Sequence, residues 1–120
     1  MAAQRSGDRV IASAPDPGPT RHEVPAIDAA ALNAAVAAEV AYHAADSVGL
    51  DRWARFLAPL PDRLRDGPVR ELRGVARQAR AAFGPNDSIR DALPDEVTRP
   101  LLDSVDRLLK AIARYDAHRE

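Results

Sequence analysis

The chain has no cysteine, one lysine, three histidines, one tryptophan, two tyrosines and two phenylalanines among its 120 residues. Each scarcity excludes a class of chemistry. Without cysteine there is no disulfide framework, no thiolate metal site and no thiol nucleophile, a pattern that fits a reducing compartment. With three histidines, His22, His43 and His118, no Ser–His–acid order can be assembled. No glycine-rich segment has the spacing of a phosphate loop. Long apolar runs are also missing: the least polar stretch, Ala29 to Ala38, stops at Glu39, well short of the ~18 residues of a membrane span. The first 24 residues hold six charges and no apolar core of a signal peptide. The expectation is a cytoplasmic protein with no membrane partner and no cofactor.

No stretch alternates apolar and polar residues between turn signals, so strands are not expected. What is present is alanine and helical periodicity. The fold class predicted is all-α: a small bundle of three long helices with one or two short ones. Four prolines, Pro15, Pro17, Pro19 and Pro25, fall within eleven residues. They predict a disordered tail over 1–26, ahead of a single helical domain over 27–120.

Within that domain, Asp28 has the chemistry of an N-cap, with Ile27 and Leu32 as a hydrophobic staple, and Gly49 is the expected stop. Leu32, Val36 and Val40 follow one face at a step of four. Ala34, Ala38, Ala41 and Ala45 make a second face of small side chains, which predicts a sandwiched helix or a contact with a second copy. "LDRWARFLAPLP" reads as a short helix burying Trp53, Phe56, Leu57 and Leu60, stopped by its prolines. Pro68 and Gly84 bracket a helix with the inner line Val69, Leu72, Ala76, Ala79 and Phe83. Ile89 and Leu93 belong to one helical turn capped by Asp87 or Ser88. Thr98 is the expected N-cap of a last helix, with Val97 and Leu102 as its staple. Leu101, Val105, Leu108, Ile112 and Tyr115 form the core line of that helix.

The charge is unevenly spread. Residues 27–50 hold three acids and no Lys or Arg, whereas 51–84 hold eight arginines against four acids. Arg70, Arg73, Arg77 and Arg80 recur at steps of three, four and three, placing four guanidiniums on a ridge beside the apolar line. Guanidinium forks suit phosphates and carboxylates. The ridge is therefore the candidate surface for an acidic protein segment or for nucleic acid. A structural use competes with both, in which the arginine stems cover the core edge and pair with acids such as Asp103 and Asp106. The overall charge of −1, the lack of interleaved aromatics and the absence of a DNA-binding signature count against nucleic acid.

Glu39, His43 and Asp46 share an arc of the first helix, but a bundle metal site needs ligands from facing helices, and none are expected. Asp87, Asp91, Asp95 and Glu96 sit at helix starts, where acids complement the dipole. The functional expectation is a non-enzymatic accessory or regulatory subunit that binds another protein or itself. The alternatives are a nucleic-acid-associated regulator using the ridge, and a small enzyme whose site is completed by a second subunit.

Overall fold

The structure is a computed structural model and describes residues 18–84 and 88–119. All regular structure among these residues is helical, as the periodicity predicts. A 3-10 turn at Arg21–Glu23 leads into α1 (Pro25–Ser47). Next come α2 (Asp51–Leu57), α3 (Leu60–Asp66), α4 (Val69–Ala81), α5 (Ile89–Ala92) and α6 (Asp95–Arg119). The two longest helices, α1 and α6, form the main contact. The short α2 and α3 cover another side of α1, and α4 bridges α3 and α6.

The chain joins the fold earlier than the proline pattern predicts. α1 begins at Pro25, whose missing N–H is no loss in a first turn. Val24 and Ile27 are buried, while Leu32 is 42% exposed, so no Ile27–Leu32 staple exists. Asp28 is inside the helix and accepts from Arg21 Nε at 2.6 Å. The tail expectation therefore fails for 18–26, and for 1–17 it lies outside the described residues.

At its other end α1 closes as read from the sequence. Gly49 takes φ +76°, its N–H bonds the Asp46 carbonyl at 3.2 Å, and the Leu50 N–H bonds that of Ala45 at 2.9 Å. This paired closure is a Schellman motif and uses the left-handed conformation that glycine adopts cheaply.

α2 ends at Leu57, just ahead of Pro59, as the prolines predict, but the same prolines then start α3, which takes up Leu60. Pro59 occupies the N-cap and Pro61 the second helical position, where no intrahelical donor is needed. Leu60, Pro61 and Leu64 are buried as a result. α3 ends at Gly67, where a Cβ would stand 2.3 Å from the Arg63 carbonyl oxygen, so only glycine fits without moving backbone.

The core lines of α4 and α6 match the sequence reading. Leu72, Ala76, Ala79, Leu101, Val105 and Leu108 are fully buried, and Ile112 nearly so. Trp53 is buried and meets Phe56 edge-on at 5.7 Å. Ser88 caps α5, its Oγ accepting from the Arg90 N–H at 3.1 Å, and Ile89 and Leu93 are buried. α6 starts three residues before Thr98. Thr98 is a buried helical residue whose hydroxyl donates to the Pro94 carbonyl at 3.4 Å, not a cap.

Candidate functional site

The arginine ridge is drawn largely into the fold. α4 packs on α6, and two acids of α6 meet the ridge. Arg80 Nε donates to Asp106 Oδ1 at 2.9 Å, and Arg73 pairs with Asp116. Arg70 is also engaged with a partner. Arg77 is exposed and has no ion pair among the described residues. Of the two acids named from the sequence, Asp106 is a partner. Asp103 instead lines a groove on another side of α6, and Asp116 takes the second arginine. Asp116 lies ten residues, nearly three helical turns, after Asp106, a spacing that follows α4 along its length.

The upstream arginines are occupied too. Arg63 donates to Gln78 at 3.2 Å, and Arg65 bridges Asp62 at 2.7 Å and Glu39 at 3.1 Å. This last bond also defines the Glu39–His43–Asp46 trio. One Glu39 carboxylate oxygen accepts from Arg65, while the other stands 3.8 Å from His43 Nε2. Among the described residues no group of three or more His, Asp or Glu side chains is arranged to hold a metal ion. No described helix is long and apolar enough to cross a membrane.

The self-association surface expected on Ala34, Ala38, Ala41 and Ala45 is corrected by the packing. All four are fully buried in this chain's own core, so none is available to a second copy. Leu32, Val36 and Val40, on the face that steps by four, are instead 42%, 63% and 52% exposed. The reason is steric. Small alanines let α1 approach its neighbours closely, and the filling bulk comes from buried Leu57, Leu60, Leu64, Leu101, Val105 and Leu108. A hydropathy pattern weighs leucine and valine above alanine and therefore selects the wrong face.

The exposed ridge runs beside a groove between α1 and α6. Val36 and Val40 form its α1 side, Ala37, Val97 and Pro100 complete the apolar lining, and Arg99, Asp103 and Arg107 stand along its α6 side. It encloses about 450 Å³. A row of three large apolar side chains at i, i+4 and i+8 next to such a groove is the surface that helix packing uses, ridge into groove. It carries no nucleophile–base pair and no cluster of convergent acids. Comparison with protein-family models, with curated proteins and with solved structures gives no match.

Proposed function

We propose that this chain is a non-enzymatic helical interaction module, an accessory or regulatory subunit working in the cytoplasm. The observation that carries the reading is the exposed row Leu32, Val36 and Val40 beside the α1–α6 groove. Scattered exposed apolar residues need no explanation, but a continuous ridge along an otherwise well-packed helix marks a surface for association. Among the described residues Val48 is the one other exposed large apolar side chain, and it stands at the helix end outside this row, so the ridge is an exception to the pattern of the fold.

The ridge of arginines supports this reading over nucleic acid. Arg73 and Arg80 are committed to carboxylates of α6, which lowers the local positive potential that a phosphate backbone would need. The test is a photo-activated cross-linking amino acid at position 36 or, as control, at position 77, in cells that make the chain. Adducts to a polypeptide from position 36 but not from 77 are expected. Adducts to nucleic acid from 77, with none from 36, would overturn the proposal.

A further inference from the structure

We infer that the partner of this module is an acidic amphipathic helix of another protein, lying in the furrow between α1 and α6 with its apolar face on Val36 and Val40 and its carboxylates on Arg107, Lys110 and Arg114. This rests on the interaction-module reading above. Three observations lead there.

First, the groove continues. A second cleft, of about 290 Å³, lies between the start of α1 and the end of α6, walled by Pro25, Ala26 and Ile27 on one side and by Ala111, Arg114 and His118 on the other. Its α6 residues extend those of the groove at helical steps of three and four: Val97, Pro100, Ser104 and Arg107 lead on to Ala111, Arg114 and His118. The two clefts therefore open on one side of the α1–α6 seam. From Val97 to His118 that seam runs roughly 30 Å, the length of a helix of about 20 residues.

Second, the positive charge along it is unneutralised. Arg107, Lys110, Arg114 and His118 fall within an arc of about 80° on α6, and all four are exposed. None of these side chains has a hydrogen bond or ion pair among the described residues. The α4 arginines differ, because Asp106 and Asp116 of α6 are turned to Arg80 and Arg73, and so does Arg99, which Asp95 accepts from at 3.1 Å. A row of cations without internal partners is complementary to carboxylates brought from outside.

Third, cations and apolar surface stand side by side. Val36 and Val40 face the groove from α1, and Arg107 faces it from α6. A helix laid between them covers valines with one flank and meets cations with the other, which is how amphipathic helices are held in grooves. Nucleic acid suits the furrow less well. A sugar–phosphate backbone leaves the valines uncovered, and Asp103 and Glu23, one in each cleft, repel a continuous polyanion more than a helix with spaced carboxylates.

The probe is a fluorescein-labelled synthetic helix of about 20 residues, with leucines on one face and glutamates on the adjoining face. Its companion has every glutamate replaced by lysine. Fluorescence anisotropy with the full chain is expected to show the acidic helix binding at least about 10-fold more tightly than the basic one, with affinity falling as salt rises. Arg107→Glu combined with Arg114→Glu should weaken the acidic helix by about 10-fold or more and keep the helical circular-dichroism signal, since both side chains are exposed. Arg77→Glu, an equal charge change per site at an exposed position of α4, should leave its affinity unchanged.

Equal affinity for the two helices would overturn the acidic-partner assignment. So would indifference to the double reversal, an equal loss on Arg77→Glu, or tighter binding to a DNA duplex or to phosphatidylserine vesicles than to the acidic helix. The position-36 cross-linker, repeated in the double-reversal background, separates this failure from that of the broader reading. A polypeptide adduct that fades with the reversal, and whose cross-linked segment is sequenced as an acidic amphipathic helix, supports the inference. An undiminished polypeptide adduct removes the acidic partner and leaves the module, and no polypeptide adduct in either background removes both.

Discussion

Arg21 donates from Nη1 to the carbonyl oxygen of Leu64 at 2.9 Å, across 43 residues of sequence. The same nitrogen reaches the Gly67 carbonyl at 2.8 Å, and Nε holds Asp28. One guanidinium thus ties the start of α1 to the open C-terminal carbonyls of α3, groups that a helix leaves without internal partners. The side chain is 17% exposed, so water competes poorly for these bonds. Arg21→Ala should destabilise the fold by about 2 kcal/mol, since bonds to a charged donor are worth more than neutral ones and the carbonyls lose their partner. Urea unfolding followed by circular dichroism measures this, and Arg21→Lys, lacking the fork, should recover only part.

Opposite faces of α1 should respond in opposite ways. Ala38→Glu introduces a charge at a fully buried site with no cation placed to receive it, and the chain should fail to fold cooperatively. Ala41→Leu overfills the same contact and should cost roughly 1–3 kcal/mol. Val36→Ser, on the exposed face, should leave the stability of the isolated fold within about 0.5 kcal/mol. Thermal denaturation of the three variants at a single low protein concentration separates the faces.

Within the arginine row, the pairing predicts a graded response. Arg80→Ala and Arg73→Ala break half-exposed pairs to α6 and should each cost up to ~1 kcal/mol, less at high salt. Arg77→Ala should be neutral. A double-mutant cycle of Arg80 with Asp106 should return a small positive coupling, whereas Arg77 with Asp106 should return none.

Two glycines give a contrast that depends on backbone geometry alone. Gly67→Ala drives a methyl group toward the Arg63 carbonyl and should destabilise the α3–α4 junction, by about 1–3 kcal/mol. Gly74 lies inside α4, where a Cβ meets nothing within 4 Å. Gly74→Ala should therefore stabilise by about 0.5–1 kcal/mol through helix propensity and reduced freedom of the unfolded chain. Denaturant midpoints of the pair, moving in opposite directions, are the measurement.

Much of the bundle is legible in one dimension because its information is local. The four-three-four step of Leu101, Val105, Leu108 and Ile112 requires one buried stripe whatever lies against it, and Gly49 ends α1 through its own φ. The arginine row follows from a spacing of three and four. The proline-led start of α3 is also local, and position-specific: the same residue breaks a helix at its interior and begins one in its first turn.

Other features depend on what the chain brings opposite. Whether Arg73 and Arg80 are free or paired depends on Asp106 and Asp116, which approach α4 only after α6 docks. Arg21 acquires its role from carbonyls more than forty residues away. The reversal on α1 has the same origin. Its sequence holds a valine–leucine row and an alanine row, and either could face inward. By itself, the sequence determines that α1 is a helix with two such faces. The tertiary structure decides that the alanines go in, because bulky side chains on α2, α3 and α6 already fill the space and leave room only for close backbone approach. Leu32, Val36 and Val40 remain on the outside.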